Sequence, residues 1–421
     1  MRIKISLILF VTAMNLSAQT ELVMSGKTYT NSEDTWLGVD IPRNEQTNLI
    51  FRNNSINSIN RYGYMLQAGD EGVRTTNNKL DGAIITGNKF TWSGSDMTVI
   101  PHGLFTGHQK NIVAKYNYLK DVPMGIIRKS ANNMTNTSGG VAYNIVKNGQ
   151  VGMVVKGMSN VNIFNNTFYQ ERTASQTWRP LIHIYTNTDN GNNSVAHGTK
   201  IHNNIFYTKY QTLSITIADN ESLQGFECDY NVYWCENGSP RFSVAGSVKT
   251  FEQWQAMGYD QHSVVMNPKF RDFVNFVPAE RLDFGKDLGT EWQMGLATNA
   301  VWSTADPATT GQNGKWQVGA VIHAADGSVP PPPAELGPQS EGISISPNPV
   351  KDSFTVKITN ADQSTTGILR LFDFSGKLCL EKQLANVSSQ PVSVNLNAGF
   401  YVLRLEKGPQ TLIVQKIIVV D

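Results

Sequence analysis

Val161-Asn162-Ile163-Phe164-Asn165-Asn166-Thr167-Phe168 is one copy of a phrase that recurs along the chain: a few apolar residues, an asparagine, a spacer and another apolar residue. The other copies centre on Asn54-Ser55-Ile56, Asn88-Lys89-Phe90, Asn117-Tyr118-Leu119, Asn144-Ile145-Val146, Asn204-Ile205-Phe206 and Asn231-Val232-Tyr233. With Asn166 in its place, the asparagines stand 34, 29, 27, 22, 38 and 27 residues apart. A fixed phrase in a repeat of wandering length predicts stacked coils whose extra residues loop out on one side. Alternating apolar residues make a short strand. Asparagine tolerates the left-handed turn that ends it, and its amide can bond to the coils above and below. The expected class is all-β: a right-handed parallel β-helix of about seven or more coils, followed by a small β-sandwich.

A second apolar strand follows each phrase. The copies include Thr98-Val99-Ile100-Pro101-His102, Gly125-Ile126-Ile127-Arg128-Lys129, Gly152-Met153-Val154-Val155-Lys156 and Leu181-Ile182-His183-Ile184-Tyr185. Aligned in that register, His102, Lys129, Lys156 and Tyr185 form one column. Parallel strands stack about 4.8 Å apart, so the four side chains would reach a single ligand.

Around this core, a basic start, a short apolar run and Ser17-Ala18 predict a signal peptide over residues 1–18. Residues 19–325 are assigned to the β-helix. Within them, 20–47 are expected to form an irregular cap and Phe251 to Met257 a short helix. Residues 258–325 are read as irregular structure over the last coils. A Pro-rich linker spans 326–342, and a separate all-β unit spans 343–421. A net charge of +1 with 16% charged residues argues against nucleic acid as partner. No other apolar run is long enough to cross a bilayer, and a monomer is expected. Of three cysteines, Cys228 and Cys235 are either paired or two buried thiols.

Four motifs in the last unit carry a resemblance: Ser346-Pro347-Asn348-Pro349-Val350, Asp373-Phe374-Ser375-Gly376-Lys377, Ala398-Gly399-Phe400-Tyr401-Val402-Leu403-Arg404-Leu405 and Gln415-Lys416-Ile417-Ile418-Val419. They resemble the type A sorting domain of the type IX secretion system of Bacteroidetes. The resemblance implies contact with that machinery, passage through the outer membrane, removal of the domain, and release or surface attachment.

Parallel β-helices act chiefly on long polysaccharides, a fold-level prior. Hydrolases need two carboxylates roughly 5–10 Å apart. Lyases of uronic acid polymers need a base for the C5 proton and a cation for the adjacent carboxylate. Between Met97 and Leu181 the only acids are Asp121 and Glu171, whereas His102, His108, Lys115, Arg128, Lys129, Lys156, Arg172 and Arg179 supply positive or titratable groups. That count favours a lyase acting on an acidic polysaccharide. Lys129 or Lys156 is the expected base, its pKa lowered by neighbouring cations. Arg128, Arg179 or His102 would neutralise the carboxylate, Tyr185 or His183 would donate a proton or form a subsite, and His108 would line the groove.

Lys129-Ser130-Ala131-Asn132-Asn133, and Lys156 through Phe168, also resemble the Lys-Ser-x-x-Asn and Asn-Thr-Phe coil of chondroitinase B and related alginate lyases. The resemblance implies a lysine base, an arginine acid about one coil later, for which Arg179 is suitably spaced, and calcium as a cofactor. The chain departs from that pattern: Arg179 precedes Pro180 instead of opening Arg-His-Gly, and no calcium-holding carboxylates correspond. Two other expectations compete. One is a non-catalytic carbohydrate-binding or adhesive β-helix. The other is a glycoside hydrolase using Asp70, Asp96, Asp219 or Glu227.

Overall fold

Three strands per coil, each too short to bury an apolar face alone, stack in register into three large sheets. These are seen in a computed structural model describing residues 22–41, 49–69, 80–94, 101–130, 133–172, 180–312, 314–324, 343–346, 350–358, 367–372, 378–384, 389–394, 396, 399–407 and 410–419. The signal peptide and the Pro-rich linker lie outside these residues. The chain divides into two compact units, 1–329 and 330–421.

In the first unit, a leading sheet of eight strands runs from Leu22–Ser25 to Glu227–Asp229. A ladder sheet begins with Thr28–Asn31 and takes the strand after each conserved-phrase asparagine. A third, here called the site sheet, begins with Leu37–Ile41; each of these two has nine strands. Coil-to-coil pairing is parallel, with the edge strand Ser247–Lys249 of the site sheet folding back antiparallel, and the result is a parallel β-helix. The third residue of each phrase points inward. Ile56, Phe90, Leu119, Val146, Phe168, Phe206 and Tyr233 therefore lie in one register column. Phe168 and Phe206 stack at 5.4 Å, and Phe206 and Tyr233 at 4.9 Å.

The asparagines form a continuous buried ladder. The backbone N and Nδ2 of Asn117 both donate to Oδ1 of Asn144, each at 2.9 Å, while Nδ2 also reaches back to the Ile85 carbonyl at 3.0 Å. The pattern repeats from Asn54 to Asn231. The sequence reading placed the left-handed turn at these asparagines. It falls one residue earlier, at Asn53, Gly87, Tyr116, Tyr143, Asn165, Asn203 and Tyr230, with φ between 51° and 66°. This frees each following asparagine amide to satisfy backbone groups that would otherwise be buried without partners.

Two expectations about the ends need correction. Residues 22–41 are not an irregular cap but a full first coil, with strands Leu22–Ser25, Thr28–Asn31 and Leu37–Ile41 paired to the coil above. Lys27 occupies the asparagine position, and its backbone N starts the ladder on Asn54 Oδ1 at 3.0 Å. The last segment does not stop at the final coils. It runs back as a strap along the left-handed turns. Asn203 Nδ2 donates to Lys286 O, Asn165 Nδ2 to Gln317 O, and Tyr143 and Tyr116 hydroxyls to Trp292 O and Met294 O. Asn53 Nδ2 reaches Asp306, and Thr304 lies against Gly26 in the first coil.

At the other end the helix Phe251–Ala256, closed by a Thr250–Gln253 capping box, lays Trp254 flat on Phe242 at 4.8 Å. Asp260, fully buried, ends the ladder. Its carboxylate accepts from Asn231 Nδ2, Tyr233 Oη, Trp254 Nε1, Ser263 Oγ and Cys228 Sγ. Cys228 and Cys235 are unpaired buried thiols.

The second unit is antiparallel, with a three-stranded sheet (Ile343–Ser346, Ser353–Ile358, Ser389–Ser393) and a four-stranded one. Phe354, Val356, Leu369, Leu371, Leu403 and Ile417 belong to its core.

Candidate functional site

The central strands of the site sheet are buried on both faces, as parallel sheets usually are. Inward lie Ile126, Met153, Val155, Ile182 and Ile184. On the other face Tyr64, Phe105, Met124, Ile127, Val151 and Val154 form a second apolar cluster, each 5% exposed or less. Across these central strands, the strip expected to lie open along the sheet is restricted to their C-terminal ends.

There the register joins Gly69, Gly107, Lys129, Lys156 and Tyr185 in one row. Three of the four expected column members share it. His102 does not: it pairs with Tyr64 and Met124, five residues earlier along the strand, and its ring packs on Tyr64 at 4.9 Å. The misalignment has a simple origin. The strand begins at His102 instead of ending there, and it supplies Gly107, which has no side chain, to the lysine row.

Lys129 and Lys156 converge on a carboxylate. Their Nζ atoms lie 2.9 and 2.7 Å from the same Oδ2 of Asp189, on the turn Asp189–Gly191. The lysine side chains are 8% and 18% exposed, and the Asp189 side chain 41%. The two ammonium groups are therefore less than about 6 Å apart. At an effective dielectric near 20, unit charges at that spacing repel by roughly 3 kcal/mol; the carboxylate between them offsets this. Both ammonium groups in turn hold the Asp189 carboxyl below its ordinary range against the opposing effect of burial. The cluster carries one net positive charge. Counting acids only as far as Leu181 missed Asp189, which a loop brings back onto the row.

Tyr185 lies beside the pair, with Lys156 Nζ 5.4 Å from its ring centre, and His183 stands two residues back with its ring 4.5 Å from that of Tyr185. Arg128 faces inward. It is 2% exposed and donates to Thr106 Oγ1, Asn136 Oδ1 and the Gln109 carbonyl at 3.0, 2.9 and 3.4 Å. Burial pushes its guanidinium down to about 10, still charged at neutral pH, but it cannot meet a ligand outside the coil. His108 is buried at a left-handed position with φ of 50°, not set along a groove. Arg179, Asp70 and Asp96 lie outside the described residues.

The remaining acids are structurally engaged. Asp219 accepts from the backbone N of Thr186 and Ser222 at 2.7 and 2.9 Å. Glu227 pairs with Lys200 at 2.7 Å and with His202 at 3.4 Å; with burial opposing, these contacts hold its carboxyl below the usual range. A general acid needs the opposite shift. Among the described residues, no group of three or more His, Cys, Asp or Glu side chains is placed to hold a metal ion. The described residues thus offer no carboxylate cluster for the calcium that the lyase resemblance implies.

No curated protein matches the chain. No helix among the described residues is long and apolar enough to cross a membrane. Residues 344–420 match the secretion system C-terminal sorting domain, which marks the protein for secretion or cell-surface attachment through the type IX system.

Proposed function

We propose that the exported β-helix cleaves an acidic, uronate-containing polysaccharide by β-elimination. The observation that supports this most is the convergence of Lys129 and Lys156 on one carboxylate at the end of the site sheet. A pair of ammonium groups that already binds a carboxylate is chemically suited to a uronate. Lys129, the more buried, neutralises the substrate carboxylate. Lys156, more exposed and next to Tyr185, takes the C5 proton. The electron pair forms the C4–C5 double bond, the C4–O bond breaks, and the departing oxygen takes a proton from the Tyr185 hydroxyl. His183 serves as a neighbouring subsite. Trp36 and Tyr62, 59% and 57% exposed and stacked at 6.5 Å, offer apolar faces to sugar rings near the start of the same sheet.

A hydrolase is less well supported, because Asp219 and Glu227 already serve as hydrogen-bond and ion-pair partners. The test is to incubate the secreted protein with alginate, pectate, ulvan and glycosaminoglycans and follow ultraviolet absorbance. Unsaturated uronate is the expected product. New reducing ends without absorbance would show a hydrolase, and retention without cleavage a binding protein.

A further inference from the structure

Asp189 is placed where a ligand carboxylate would go. One of its oxygens meets both ammonium groups, while its own side chain is the most exposed of the three. The stems of its loop are fixed. Asn187, fully buried, donates to the Ser130 carbonyl at 2.6 Å and exchanges backbone bonds with Ser194. Ser194 Oγ accepts from Asn133 N, and Ser159 Oγ donates to the Val195 carbonyl. Gly157, directly after Lys156, is required beneath them: a Cβ there would meet Asn187 Cβ and Ser130 O, both at 2.6 Å. The tip differs. Asp189–Gly191 is a single turn with bonds to Asn187 Oδ1 and Asn192, and a Cβ on Gly191 would meet nothing within 4 Å.

We propose that Asp189 is a built-in occupant of a carboxylate subsite formed by Lys129 and Lys156, and that an anionic sugar residue displaces it. The inference rests on the functional reading above. It also removes a chemical obstacle in that reading. While Asp189 bonds to the Lys156 Nζ, it occupies the place beside that atom where the C5–H of a substrate would have to lie. Once a uronate carboxylate replaces Asp189 on Lys129, the Lys156 Nζ is no longer held by Asp189 and faces the bound sugar. Binding and access to the Lys156 Nζ are thereby coupled, and the anchored stems confine the movement to the tip.

The experiment measures binding of alginate, pectate, ulvan and chondroitin sulfate oligosaccharides to the full-length protein and its Asp189→Asn, Asp189→Ala and Lys156→Ala variants. Removing the competitor should tighten binding of the preferred oligosaccharide about tenfold, lower KM accordingly, and speed amide exchange at no stem residue. Lys156→Ala should weaken binding. If wild type binds and both Asp189 variants bind equally or more weakly, Asp189 positions the lysines and the displacement proposal is wrong. If none of the proteins binds any of the four, the polysaccharide reading itself fails, and the proposal with it.

Discussion

At the residue scale, Lys129 departs furthest from its sequence reading, through Asp189, which that reading did not include. A lysine at a coil edge is ordinarily solvated, yet the Lys129 side chain is 8% exposed and tied to a carboxylate 60 residues on, a pairing that only the loop can create. The folded Asp189 carboxyl titrates below the ordinary aspartate value of about 3.9. Its stabilising contribution is thus present above that pH and is lost as pH falls through the folded value. The melting difference between wild type and Asp189→Asn should hold from neutrality to about pH 4 and shrink below it. A difference that instead vanished near pH 6 would implicate a histidine. Arg128 is a structural cation: Arg128→Ala should cost about 3–5 kcal/mol, because Asn136 and Thr106 lose their buried partner and a cavity remains. Chemical denaturation measures this. A variant as stable as wild type would contradict the interior placement. Its alternation with Lys129 was legible in the sequence; the neutrality of its partners was not.

At the element scale, the ladder was readable because asparagine at a fixed place in every phrase has few other uses. Its geometry was only half readable. Tyr116, Tyr143 and Tyr230 sit at positive φ, where bulky residues are rare, and nothing local signals it. Their anchoring becomes clear only with the strap, to which Tyr116 and Tyr143 donate, and with the stacking of His262 on Tyr230. The first coil was missed because Lys27 replaces the asparagine and only its backbone is used. Asn166→Ala, in mid-ladder, would leave the backbone N of Asn144 without a partner in the interior. A loss of about 2–4 kcal/mol is expected, against nearly none for the exposed Lys89→Ala. Equal melting temperatures for the two would refute the ladder. Phe168→Asp should be more severe still, since a charge placed between Phe206 and the inner wall has no counterion.

At the scale of the whole molecule, two segments of the chain have opposite value to the helix. The strap runs back to the first coil and covers the later strands of the ladder sheet, with Phe276, Val277, Leu296 and Val318 packed on Tyr169 and Ile205. Deleting residues 285–322 should abolish cooperative unfolding. Truncation at Val329, by contrast, should leave a folded body, because residues 1–329 form a compact unit by themselves. Mass spectrometry of the exported protein should find residues 343–421 removed; intact Val419 would rule that out. The sorting unit was fully legible from four motifs, whereas the reach of the strap was not, because its apolar residues follow no period. The most direct test of the functional claim is turnover of the preferred polymer by Lys129→Ala and Lys156→Ala, each checked for folding by its melting curve. Lys156→Ala should stay folded and lose roughly a hundredfold or more in rate, with Lys129→Ala losing mainly salt-sensitive binding. Full activity of both folded variants at low and moderate salt would show that the lysine pair is not the site.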